Sequence, residues 1–269
     1  MTELNKIPFS FENSSSSFWV INSQGKKILR DPGLENKTIG FDWDKYCSKQ
    51  FGLDDMNYMY WEIFDCYIHE SNGCDYERMG CFINQGDVVV DIGGNIGMFS
   101  RRAIQRGASK VIAFEPASRI FSCLLDNTPR NLVECHKMAV GGSNGSISLK
   151  YDMSTGIGGA SIVKDINHSE SGFENVMCVT LNKLFEIGIL PPHIDFMKID
   201  CEGAEKQILD DLTDDNLCKI KKIAMEFHAD ILGNETRELI TERLASNGFS
   251  HFTLFHGSGA EVTLNFWKN

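Results

Sequence analysis

The chain has 269 residues, 42% of them apolar and 23% charged, with a formal net charge of −11; this is the composition of a globular protein, not of a disordered or fibrous one. The acidic balance and the lack of any sustained basic run disfavour nucleic acid as a partner. No window approaches the run of about 18 apolar residues that a membrane span requires.

The start, "MTELNKIPFSFENSSSSFWV", has no basic region followed by an apolar stretch, so no secretory signal is expected. Nine cysteines, an odd number with no CxxC pair, fit reduced thiols and a cytoplasmic location. The sequon at Asn13 carries little weight in that setting. The first fifty residues show no readable periodicity. From Leu53 the residues Met56, Tyr60, Ile63, Phe64 and Tyr67 recur at helical spacing, which predicts an amphipathic helix over about 53–70. Residues 1–75 are therefore read as an N-terminal extension and 76–269 as the main domain. Aromatic residues of that helix (Tyr58, Tyr60, Trp61, Phe64) belong either to the core or to a stacking surface for a flat acceptor.

After residue 86, strand and helix signals alternate. "DVVVDI" is an apolar run of the kind buried on both faces in a parallel sheet. A helix with Ile96, Phe99, Ala103 and Ile104 follows and ends at Gly107. "KVIAF" is the next strand, and a helix beginning at Pro116 presents Ile120, Phe121, Leu124 and Leu125. "LVECHKMAV" is expected as a third strand. "SISLKY" and "VMCVTL" flank a glycine-rich loop as extra β-structure, with Thr180 capping a short helix. "IDFMKI" and "KKIAMEF" are two more buried strands, separated by a helix starting near Glu202. A last helix over Asn234 to Gly248 precedes a hairpin, "HFTLFH" and "EVTLNFW" joined by "GSGA". This alternation predicts an α/β fold with a mostly parallel sheet and helices on both faces. The closing hairpin requires one antiparallel strand.

The turn after the first strand of this series, "DIGGNIG" (91–97), places three glycines within five residues, removing the side chains that would keep a ligand away from the backbone. The helix that follows offers free N–H groups. The spacing is not GxGxxG, so a nicotinamide dinucleotide is disfavoured. An acid within the strand end, Asp91, suits a cationic amine. Glu115, 24 residues on, lies about where such sheets present an acid to ribose hydroxyls. An amine and a ribose together describe S-adenosylmethionine.

The segments "VVVDIGGNIGMFS", "VIAFEP", "HKMAV", "IDFMKIDCEGAE" and "IAMEFH", in this order, resemble the FkbM family of class I S-adenosylmethionine-dependent methyltransferases. The resemblance covers roughly residues 76 to 230, and "KIDCEGAE" is its most specific piece; Gly94 stands where alanine is common. It implies the Rossmann-like class I fold, with a seven-stranded, mostly parallel sheet and a C-terminal antiparallel hairpin. It also implies S-adenosylmethionine as methyl donor, with S-adenosylhomocysteine as product. Asp91, Gly93, Gly94, Asn95 and Gly97 are then expected at the methionine end of the donor, Glu115 at the ribose hydroxyls, Pro116 in the turn, Ala139 beside the adenine, and Asp200 at the donor's reactive end.

For the chemistry, a hydroxyl acceptor benefits from a base. Asp200 is the first candidate, His228 the second, and Glu202 is a third that equally suits a helix cap. Lys198 is positioned to pair with one of these acids. No metal-binding cluster is legible. The glycine-rich loop 154–162 is either a plain connection or a cover over the acceptor. The reading favours O-methylation of a sugar, glycan or natural-product-like molecule. Transfer to a nitrogen of RNA, a peptide or a small amine, and a non-catalytic donor-binding domain, stand as alternatives.

Overall fold

The computed structural model describes residues 76–152, 160–161, 171–255 and 261–268, together with four short strands before residue 40. Those four, β1 (Asn5–Pro8), β2 (Phe18–Ile21), β3 (Lys27–Arg30) and β4 (Thr38–Ile39), form an antiparallel sheet in chain order. The sequence had no readable pattern there. The expected helix over 53–70, its aromatic residues, the Asn13 sequon and, apart from Ala160 and Ser161, the loop 154–162 lie outside the described residues.

The main sheet has seven strands: β5 (Val88–Ile92), β6 (Lys110–Phe114), β7 (Val133–His136), β12 (Phe196–Ile199), β13 (Lys222–His228), β14 (Ser250–Phe255) and β15 (Glu261–Trp267). Their spatial order is β14-β15-β13-β12-β5-β6-β7. The strands from β13 to β7 pair in parallel, and β15 enters antiparallel between β13 and β14. This is the class I sheet that the resemblance implies, and β15 is the antiparallel strand that the hairpin required.

Alternation along each strand divides the core into two layers. Val89, Val111, Ala113, Phe196 and Ala224 face helices α1 (Met98–Gln105) and α2 (Ser118–Asn127). Val90, Ile112, Met197, Ile223 and Met225 face α3 (Leu181–Glu186), α4 (Glu205–Asp211), α5 (Asp214–Leu217) and α7 (Asn234–Ser246). A further short helix, α6 (Ala229–Leu232), leads into α7. Thr180 caps α3 as expected, its hydroxyl accepting from the Lys183 N–H at 3.3 Å.

Two expectations are revised. "LVECHKMAV" is two strands, not one: β7 stays in the main sheet, while β8 (Ala139–Val140) pairs in parallel with β11 (Ser171–Val179). With β9 (Gly145–Asp152) and β10 (Ala160–Ser161), these form a second sheet in the order β10-β9-β11-β8. The chain changes sheets at Lys137–Met138 because its new partner, β11, comes from some forty residues further on. The helix expected near Glu202 begins at Glu205, since Glu202 has φ 52 and Gly203 φ 102, both incompatible with helix.

Residues 76–87 are anchored to the domain by a buried ion-pair cluster. Glu77 meets Arg102 at 2.6 Å and Arg106 at 3.1 Å, and its Oε1 accepts the Ile83 N–H at 3.1 Å. Six cysteines lie among the described residues, and no disulfide joins any two of them. No helix among the described residues is long and apolar enough to cross a membrane.

Candidate functional site

The strand order reverses between β5 and β12, and in open α/β sheets ligands bind outside the carboxyl ends at such a point. A crevice of about 650 Å³, open solvent at its mouth included, lies there. Gly93 and Asn95 follow β5, Glu115 and Pro116 follow β6, and Asp200 and Glu202 follow β12; all six line it. Because β5 lies between β6 and β12, the Glu115 and Asp200 ends are two strand spacings, roughly 10 Å, apart. Ala139, Met138 and Val140 from the second sheet's edge, Leu149 from β9 and Ile120 from α2 supply an apolar wall.

The glycines of the turn also make room within the protein itself. At Gly93, φ is +77 and an added Cβ would lie 1.8 Å from the Asp200 carbonyl oxygen. At Gly97, φ is +90 and a Cβ would lie 2.8 Å from Thr128 and 3.0 Å from Leu124. Their missing side chains leave room for the end of β12 and for α2, and only Gly93 also borders the crevice. Gly94 has no such conflict, its Cβ meeting Leu124 at 3.4 Å and Ala113 at 3.5 Å. Gly94→Ala is therefore expected to change unfolding free energy by less than about 1 kcal/mol, measured by chemical denaturation.

Glu115 is nearly buried, with one carboxylate oxygen accepting the Asn95 N–H at 3.0 Å and the other the Ala117 N–H at 2.9 Å. The anion seated at the glycine turn is thus the protein's own carboxylate. Burial pushes its pKa up to about 7, against the pull of those two N–H groups.

Asp91 does not reach the crevice. It is fully buried, its Oδ2 accepting from the Ser100 hydroxyl at 2.6 Å and its Oδ1 lying 3.6 Å from Lys198 Nζ. The register explains the pairing, because Lys198 on β12 is the cross-strand neighbour of Asp91 on β5. The amine that Asp91 faces is therefore internal. Burial pushes the Asp91 carboxyl up, opposed by Lys198 and Ser100.

Lys198 also lies 3.0 Å from Asp200 Oδ2 and donates to the Gly93 carbonyl at 2.8 Å. Burial would lower its pKa, but Asp200 and Asp91 outweigh that and hold it above the usual lysine range. Burial would raise Asp200; Lys198 and then His228 overcome it and hold the carboxyl below the usual range. Asp200 is accordingly a fixed anion and a weak base.

His228, at the end of β13, is buried behind this wall. Its Nδ1 lies 3.1 Å from Glu205 Oε1 and its Nε2 lies 3.6 Å from Glu202 Oε2. Burial would lower its pKa, but Glu205, Asp200 and Glu202 push it up to about 10. An imidazolium has no lone pair, so a shift in this direction works against base function at neutral pH. Glu205 also accepts the N–H groups of Cys201 at 3.2 Å and Gly203 at 3.1 Å, the capping task considered for Glu202. Glu202 remains on the crevice wall in a left-handed conformation uncommon outside glycine.

Two contributors were missed. Tyr76 is buried and its hydroxyl reaches Asp200 Oδ2 at 3.2 Å; no motif marks it. Glu205 lies inside the "KIDCEGAE" segment, but nothing in the sequence gave it a role. Among the described residues no three His, Cys, Asp or Glu side chains converge as a metal-ligand set.

The family described as "Methyltransferase FkbM domain" matches residues 91–250. AMB antimetabolite synthetase AmbE of Pseudomonas aeruginosa is 27% identical over 213 residues, 65% of this chain but only 10% of that protein. The 31-O-demethyl-FK506 methyltransferase FkbM of Streptomyces tacrolimicus is 27% identical over 206 residues, covering 65% of this chain and 75% of the relative. Among solved structures, Methyltransferase FkbM from Methylobacillus flagellatus KT aligns with a TM-score of 0.46 at 15% identity, over 68% of this chain and 44% of that one.

Proposed function

The chain belongs to the methyltransferase FkbM domain family, and on that premise we propose that residues 76–269 transfer the methyl group of S-adenosylmethionine to a hydroxyl of a sugar, glycan or natural-product-like small molecule. The observation that carries this reading is the crevice at the strand-order reversal, with buried Glu115 at one end and ionised Asp200 at the other. A nucleoside bearing an amino-acid chain needs those two acids at its two ends.

The residues fit that donor. The Glu115 oxygens are held by one backbone N–H each, so each keeps a lone pair for a ribose hydroxyl. Ala139, Met138 and Leu149 give the adenine an apolar wall, with Pro116 shaping the turn beside it. When bound, the donor supplies a methyl group already activated by a sulfonium. The chain's part is to align the acceptor and take its proton. Lys198 keeps Asp200 anionic, which suits orientation better than proton removal. Glu202, on the same wall, is the carboxylate we assign to the acceptor proton, with the His228 imidazolium behind it.

An aryl, sugar or alkyl hydroxyl is favoured over a nucleic acid by the net charge of −11 and by the carboxylates lining the crevice. Incubating the protein with methyl-labelled S-adenosylmethionine and a metabolite extract tests the reading. The label is expected on oxygen in a small molecule. Label on nitrogen or on RNA would replace the acceptor class. Donor binding without any transfer would make the domain a non-catalytic binder.

A further inference from the structure

Two donors of the chain converge on a single oxygen of Asp200. Lys198 Nζ lies 3.0 Å from Oδ2, and the Tyr76 hydroxyl lies 3.2 Å from the same atom. The same hydroxyl also lies 2.7 Å from Glu226 Oε2, the shorter of its two carboxylate contacts. The other oxygen, Oδ1, accepts no hydrogen bond from the described residues, and the Asp200 side chain is 25% exposed in the crevice wall. Asp91, the other acid suited to an amine, is fully buried within β5 and paired with Lys198.

We propose that Tyr76 and Lys198 are positioning residues that clamp Oδ2 of Asp200 so that Oδ1 stands fixed in the crevice as the anionic contact for the primary ammonium of the donor's amino-acid part. The proposal rests on the S-adenosylmethionine reading above. A carboxylate free at both oxygens must lose rotational freedom on binding, and one already held by two donors does not. Lys198 from the sheet interior and His228 from β13 keep it ionised, helped by the Tyr76 hydroxyl from the leading segment and opposed by the carboxylates around it, Asp91 on β5, Glu226 on β13, and Glu202 and Glu205 after β12.

Tyr76 precedes residues 91–250, the part that carries the family match, yet it is built into the site. Its ring meets Phe99 edge-on at 5.5 Å, and the next residue, Glu77, is locked by Arg102. Lys198 Nζ lies 5.4 Å from the centre of the same ring. The segment before β5 is thereby part of the donor site.

Calorimetric titration of the full chain with two ligands tests this. S-adenosylhomocysteine carries the ammonium; 5′-methylthioadenosine has the same nucleoside thioether without the amino acid. Tyr76→Phe keeps the ring and its packing. It is expected to weaken S-adenosylhomocysteine roughly three- to tenfold, the effect of one hydrogen bond, and 5′-methylthioadenosine less than twofold. Asp200→Asn should weaken S-adenosylhomocysteine by at least as much, and adding Tyr76→Phe to it should cost nothing further. Equal losses for both ligands, no loss for either, or full additivity would overturn the positioning role. Failure of the wild-type protein to bind either ligand would overturn the donor reading itself, and the proposal with it.

Discussion

Gly93→Ala is expected to lower the unfolding free energy by about 3 kcal/mol or more, a loss of stability before it is a loss of binding. Two costs add. An L side chain in the left-handed region costs roughly 1–2 kcal/mol, and the new methyl would sit 1.8 Å from the backbone oxygen of Asp200. Overpacking against movable side chains costs about 1–3 kcal/mol; here the obstacle is backbone at the end of a central strand. Relief requires β5 and β12 to separate where Lys198 joins them through the Gly93 carbonyl and Asp200. Denaturant unfolding of the variant beside Gly94→Ala measures the difference. A Gly93→Ala protein of unaltered stability would show that the two strand ends do not meet in this way.

The second large effect is at Glu115. Replacement by alanine removes both ribose acceptors and leaves the Asn95 and Ala117 N–H groups without their partner, and affinity for S-adenosylhomocysteine is expected to fall about 100-fold, given 1.5–3 kcal/mol for hydrogen bonds to a charged group. The pH dependence has a definite sign. With a pKa of about 7 in the folded protein, raised by burial, Glu115 carries a proton in the acid range and accepts hydroxyl donors well only once ionised. Affinity should therefore rise with pH up to about 7 and level off above it, and binding below pH 7 should release a proton. The same shift acts on stability in the opposite sense. The folded state holds this proton more tightly than the unfolded chain, so the group's contribution declines as pH rises from about 4.5 to about 7. Titration calorimetry across pH in buffers of different ionisation enthalpy reads the first effect. An affinity independent of pH between 5 and 8 would remove Glu115 from the ribose role.

Much of the architecture is visible in local pattern. "VVVDI", "KVIAF", "FMKI" and "KIAMEF" are predominantly apolar runs because their strands are covered on both faces, and each appears as a strand of the main sheet. The closing hairpin and its antiparallel strand were legible from two strand-like segments joined by "GSGA". The division of "LVECHKMAV" between two sheets was not, since nothing in those nine residues records that Ala139 and Val140 pair with Cys178 and Val179.

At the site, residue type and spacing pointed to the right turn and the right strand ends, while the partners of those residues lay elsewhere in the chain. Asp91 has the character of an acid awaiting an amine; that amine is Lys198, 107 positions later. The glycines do mark a close approach, to the Asp200 carbonyl and to α2. His228 has the credentials of a base until Glu205, Asp200 and Glu202 surround it. Tyr76 has no signature at all.

Sequence alone determined the order and kind of most elements of the main sheet, the family resemblance and the segments bordering the crevice, because apolar periodicity and turn chemistry are properties of neighbouring residues. Only the tertiary structure decided which charges neutralise one another and which buried groups meet. Those depend on strand register and on atoms brought within about 3 Å of each other from positions more than a hundred residues apart.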